Sequence, residues 1–151
     1  MGVIIQKYVL SGGPVMYFNW KDEYAVGIET IDRQHRHLFE IGGRLVDLAN
    51  DDYDHYDEIM EVIQELKDYT VYHFGFEEEL MQKYGYPDYE THKFHHFFAM
   101  KKIQKFEEED FDQNQKEAVM KLVAFISDWV SNHILNEDQK YKDFFIEKGV
   151  R

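Results

Sequence analysis

Four stretches of the chain repeat apolar residues at spacings of three and four, and no other feature leaves so few ways to fold. In the first, over about residues 30–50, the stripe reads Ile31, His35, Leu38, Gly42, Leu45, Ala49. In the second, over about 54–84, it reads Ile59, Ile63, Leu66, Thr70, His73, Glu77, Leu80, Tyr84. The third, over about 88–109, gives His92, His96, Ala99, Ile103, Phe106, and the fourth, from about 113, gives Val119, Leu122, Ile126, Trp129, His133. Each set falls on one helix face. Turn-like residues separate the stretches around 50–54, 85–88 and 110–114, and both prolines, Pro14 and Pro87, lie outside them.

Amphipathic helices joined by short connections bury their apolar faces best as an up-down-up-down antiparallel bundle. The expected fold is therefore all-α: a four-helix bundle with a short C-terminal helix over 137–148 that packs Tyr141, Phe144 and Phe145 against one end. Residues 17–151 form one domain in this reading. Residues 1–16, punctuated by Ser11-Gly12-Gly13-Pro14, are an N-terminal extension to which no function and no strand are assigned.

Composition narrows the partners. With a formal net charge of -13 and no Lys/Arg-rich run, the chain repels nucleic acid and anionic lipid surfaces. It has no cysteine, so any metal must be held by nitrogen and oxygen. The N-terminus lacks the pattern of a secretory signal, and no stretch approaches the roughly 20 apolar residues that a bilayer span needs. A soluble, cytoplasmic protein is expected.

The informative residues are the polar ones on the apolar stripes. A buried carboxylate such as Glu77 costs several kcal/mol unless a cation compensates it. No lysine or arginine falls on the stripes, whereas His35, His73, His92, His96 and His133 do. A lone core histidine is usually satisfied by a carbonyl; five facing inward from four helices are metal-site chemistry. His73 and Glu77, and likewise His92 and His96, are at i and i+4 and so share a face. His133 and Asp138 are five apart, about 140° on an ideal helix; the expectation is that Asp138 lies past the end of the fourth helix, with Asn136 interrupting the winding. His37 and His55 are read as solvated, His95 as at most a neighbour of the site, and Glu78 and Glu79 as a solvated face.

Seven candidate ligands are too many for one tetrahedral zinc, and there is no His-Glu-x-x-His segment. Two six-coordinate ions have twelve positions. Five imidazoles, two bridging carboxylates and one bridging solvent oxygen fill eleven and leave one open. Mixed imidazole and carboxylate ligation suits iron better than magnesium or calcium. No histidine has a glutamate three residues before it, so the Glu-x-x-His type of diiron bundle is excluded.

These residues, with Phe18-Asn19-Trp20, Ile31-Asp32-Arg33-Gln34-His35, His73-Phe74-Gly75-Phe76-Glu77-Glu78, Tyr86-Pro87 and residues 129–138, resemble the bacterial hemerythrins over roughly 17–140. The resemblance implies a non-heme diiron centre (Fe2+/Fe3+) with an oxo or hydroxo bridge. His92, His96 and His133 would ligate the coordinatively full iron, His35 and His73 the iron with the open position, and Glu77 and Asp138 would bridge. It further implies reversible binding of dioxygen for transport, storage or delivery, not catalysis, with a transient oxygen-accepting protein as the remaining partner. Phe39, Tyr69 and Trp129, each one turn from a ligand, are the expected walls of a dry pocket. The alternatives are oxygen or redox sensing and reduction of peroxide or nitric oxide at the same site. A histidine phosphotransfer bundle, which needs one exposed histidine, is disfavoured by five inward ones.

Overall fold

The computed structural model describes residues 5–10, 13–18, 20–51, 53–107 and 115–151. Four long helices make the bundle: α1 (Glu29–Asn50), α2 (Tyr56–Tyr84), α3 (Tyr89–Glu107) and α4 (Gln115–Asn132). A π-helical segment, His133–Asp138, continues α4 without a break into α5 (Gln139–Glu147). The expected ends at 109 and 113, and the turn between them, lie outside the described residues.

Local chemistry sets where the helices begin and end. Ahead of α1, the Asp32 carboxylate accepts the backbone N–H groups of Val26 at 2.8 Å and Gly27 at 3.2 Å, tying the incoming chain to the first turn. Gly27 holds φ +80°, a conformation in which any side chain is strained. At the far end of α2, Gly85 takes φ +73° and the Tyr86 N–H reaches the Met81 carbonyl at 2.9 Å, stopping the helix so that α3 can turn back.

One expectation is corrected at the N-terminus. Two strands, β1 (Ile5–Leu10) and β2 (Gly13–Phe18), pair antiparallel from Ile5 opposite Phe18 to Leu10 opposite Gly13, so that β2 runs across the expected boundary after residue 16. They lie against α1 and α4. Two apolar runs on either side of Gly12-Gly13 are a hairpin signal, and the linker reading overlooked it.

The core has three layers along the bundle. A large apolar cluster, including Leu45, Ile59, Leu66, Val119 and Leu122, fills one end. A smaller one, built from Val26, Ile31, Met81, Tyr86, Tyr141 and Phe145, closes the other. Between them lies a layer of buried imidazoles and carboxylates. No helix among the described residues is long and apolar enough to cross a membrane.

Candidate metal centre

All seven sequence-derived candidates meet in the middle layer. His35 comes from α1, His73 and Glu77 from α2, His92 and His96 from α3, and His133 and Asp138 from the π-helical segment; all are buried. Their donor atoms fall into two groups that could each hold a cation: Glu77 with His92, His96 and His133, and Glu77 with His35 and His73. Glu77 belongs to both groups. Asp138 also touches both, lying 3.2 Å from His35 Nε2, 3.0 Å from His92 Nε2 and 3.1 Å from His133 Nε2.

The position of Asp138 corrects the expected break near Asn136. Asn132 and Gln139, at the two ends of the segment, both keep right-handed helical backbone, and the winding between them widens instead of stopping. When hydrogen bonds run from residue i to i+5, residues five apart stack on one face. Asp138 is thereby brought round beside His133.

Three features test whether the residues fit a metal. Nε2 of His133 lies 3.2 Å from Nε2 of His96 and 3.1 Å from Nε2 of His92. That is close to the separation of about 3 Å expected for ligands at right angles around an ion with bonds of about 2.1 Å. Next, among the described residues Glu77 Oε1, both Asp138 oxygens and both His35 nitrogens are buried without a well-formed hydrogen bond, although imidazole nitrogens approach the carboxylates closely. Finally, two imidazoles are fixed from behind. His73 Nδ1 donates to the Gln34 side-chain oxygen at 2.6 Å and His96 Nδ1 donates to Glu78 Oε2 at 2.8 Å, leaving each Nε2 lone pair aimed inward. The donor set suits a borderline cation such as iron, manganese or zinc.

Electrostatics lead to the same need. Burial opposes charge on His35, but Asp138 and Glu77 outweigh it and raise its pKa to about 9; for His92 the same balance gives about 10. Burial wins at His73 and His133, which are held below the ordinary imidazole value. Glu77 and Asp138, although burial acts to raise them, sit well below the ordinary carboxylate range because of the imidazoles around them. With protein atoms alone, the layer must borrow protons to neutralise its two acids. A cation supplies that charge while the imidazoles stay neutral.

Several neighbours were not legible as site residues. The buried Tyr141 hydroxyl donates to Glu77 Oε2 at 2.6 Å. Glu78, expected on a solvated face, instead turns to His96; Gln34 was seen only as part of a motif. Phe74 stacks on His96 at 3.8 Å between centroids, and Trp129 on His133 at 4.3 Å. His37 lies against the Tyr69 ring and is half exposed. His55 is not simply solvated, since its ring bridges Asp51 at 2.9 Å and Glu58 at 3.2 Å. His95 is 3.5 Å from Glu137, outside the cluster.

A cavity of about 20 Å³ touches His35, His73, His133 and Asp138. Its apolar wall comes from Leu38, Phe74, Ile103, Ile126, Trp129 and Val130. Trp129 was expected there; Phe39 and Tyr69 are not part of it. Phe39 packs against Trp20 and Tyr24, and Tyr69 against His37 and Tyr72.

An antiparallel helical bundle with a buried imidazole and carboxylate layer defines a metal-binding four-helix protein. The family model described as hemerythrin HHE cation binding domain matches residues 26–145. A bacteriohemerythrin of Clostridium acetobutylicum is 38% identical over 128 residues, covering 83% of this chain and 99% of the relative. A bacteriohemerythrin of Stenotrophomonas maltophilia is 36% identical over 124 residues, 82% of this chain and 78% of the relative. A crystal structure of wild-type hemerythrin superposes with a TM-score of 0.71 at 29% identity, covering 83% of this chain and 95% of that one. The chain belongs to the hemerythrin family.

Proposed function

We propose that the chain binds dioxygen reversibly at two iron ions held by His35, His73, Glu77, His92, His96, His133 and Asp138. The observation that carries this reading is the cavity of about 20 Å³ against His35 and His73. It has room for a molecule of about the size of water and far less than the hundreds of Å³ of an organic substrate site. A ferrous pair, when bound, supplies the two electrons that hold dioxygen.

The chain's own residues do the rest. Three imidazoles on one side and two on the other leave the two-histidine side short of a donor. Glu77 and Asp138, each in reach of both sides, would be the residues shared between the two ions, and the Tyr141 hydroxyl holds Glu77 in place. The apolar wall around the cavity keeps out water, which would carry off charged oxygen species and leave the iron ferric. Residues 17–151 constitute the working unit in this reading, and residues 1–16 an extension.

The test is to load the protein with ferrous iron under anaerobic conditions, admit air, and then degas while following visible absorption and counting iron. Absorbance that appears and reverses at about two irons per chain supports a carrier. Irreversible conversion to ferric protein, or turnover with peroxide or nitric oxide at a comparable rate, replaces it with the catalytic reading. His73→Ala and Glu77→Ala are expected to lose iron; full retention in both removes them from the ligand set.

A further inference from the structure

The two donor groups are backed unequally. In the group formed by His35, His73 and Glu77, the His73 Nδ1–H is donated to the neutral Gln34 amide oxygen at 2.6 Å. In the group formed by Glu77, His92, His96 and His133, the His96 Nδ1–H is donated to the Glu78 carboxylate at 2.8 Å. A carboxylate can only accept, so Nδ1 of His96 carries the proton and Nε2 is left as the donor atom toward a cation. Each buttress comes from a neighbouring helix: Gln34 of α1 stands behind a histidine of α2, and Glu78 of α2 behind a histidine of α3.

Packing explains which buttress carries charge. Gln34 is 3% exposed, and a carboxylate in its place would forfeit its hydration. The Glu78 side chain keeps 21% of its surface exposed, at the groove between α2 and α3, where water shares in its solvation. Among the described residues, His96 is the one ionisable group within ion-pair distance of Glu78, so no lysine or arginine neutralises the acid. Phe74, one turn before Glu78, stacks on the His96 ring at 3.8 Å with the planes 2° apart. Phe74 thus sets the plane of the ring, and Glu78 sets its rotation within that plane.

A carboxylate on Nδ1–H draws an imidazole toward imidazolate and strengthens Nε2 as a donor; a neutral amide does so much less. We propose that Glu78 is a positioning residue that makes the two iron sites electronically unequal. Through His96 it stabilises the ferric state on the three-histidine side. Gln34 leaves the two-histidine side, against which the cavity lies, closer to the ferrous state that takes up dioxygen. The inference rests on the two-iron reading above and goes beyond it in saying which ion gives up its electron first.

Potentiometric titration of the iron-loaded protein, with iron counted on the same samples, tests the proposal. Glu78→Gln keeps the length of the side chain and an oxygen for the Nδ1–H but removes the charge. Two irons per chain should be retained. The lower of the two one-electron steps should shift upward by about tenfold in its equilibrium constant, or about 59 mV, while the upper step moves less. Glu78→Ala, which removes the hydrogen bond as well, should lower iron affinity by about 10- to 100-fold. Gln at this position should keep the affinity without keeping the potential. Steps that stay in place in Glu78→Gln, or that move together, overturn the proposal, as does unchanged iron affinity in Glu78→Ala. A parent chain that binds fewer than two irons instead removes the two-iron reading, and this inference with it.

Discussion

The bundle is held together by two unlike regions. At one end, side chains such as Leu45, Ile59, Leu66 and Leu122 are buried against one another and need nothing from solution. In the middle, imidazoles and carboxylates are just as deeply buried, with several atoms lacking a well-formed hydrogen bond among the described residues. The first region is stabilised by non-directional burial. The second is costly until a cation arrives, so its stability depends on conditions. Burial alone does not distinguish them; what differs is whether the buried groups complete one another.

Removing metal should separate the two regions most strongly. A ligand present at a thousand times its dissociation constant adds about 4 kcal/mol to folding stability, which for a chain of this size shifts the midpoint by roughly 10 °C. Thermal melts with and without a chelator should differ by at least that much, and coincident melts would show that the middle layer needs no cation. Leu122→Ala, by contrast, should cost about 2–5 kcal/mol in the loaded and the stripped protein alike, with iron content unchanged. A loss of iron in that variant would mean that the regions are not independent.

Acidity gives a graded contrast. In the stripped protein, His35 and His92 have folded values of about 9 and 10 against an ordinary 6.5. Their contribution is therefore complete below pH 6.5 and is lost as pH rises through 9 to 10. Glu77 and Asp138, depressed from 4.5 and 3.8, contribute above those values and lose stability as the pH falls through their lowered ones. Burial opposes charge on His96, but its hydrogen bonds to Glu77 and Glu78 outweigh that and raise it, so it adds in the same direction as His35 and His92, whereas His73 and His133, depressed, oppose these three below pH 6.5. Metal binding has the opposite slope to the three raised histidines, since protons compete for the same nitrogens. The stability gap between loaded and stripped protein should widen from pH 6 to pH 9, and denaturant titrations that show it narrowing would contradict these assignments.

Tyr141→Phe should give the smallest effect. It removes one hydrogen bond to a charged group, about 1.5–3 kcal/mol, and should weaken metal retention without altering the apolar end. A chelator-competition titration identical to that of the parent would show that Tyr141 does not support Glu77.

Much of this was legible because periodicity carries both helix and face. The ends of α1 and α2 fell within two residues of expectation, and the seven clustered residues all lay on or beside the apolar stripes. What escaped depends on direction across helices. Phe39 and Tyr69 stand four residues from His35 and His73, yet the cavity is lined by Leu38 and Thr70, three residues away. Distance along the helix was counted and rotation around it was not. Gln34, Glu78 and Tyr141 act on side chains of other helices, which no spacing within one helix reports. The π-helical winding has no residue signature of its own; the five-residue gap between His133 and Asp138 was its only trace.

That winding makes the segment tolerant in one way and intolerant in another. The exposed Asn136 between His133 and Asp138 is open to replacement, because the segment is called on only to span the distance. Deleting one residue from 134–137 would return the rod to ordinary α-helix, with His133 and its carboxylate four apart and α5, with Tyr141 and Phe145, rotated by about 100° against the rest. Drift by substitution is permitted here; drift in length is not.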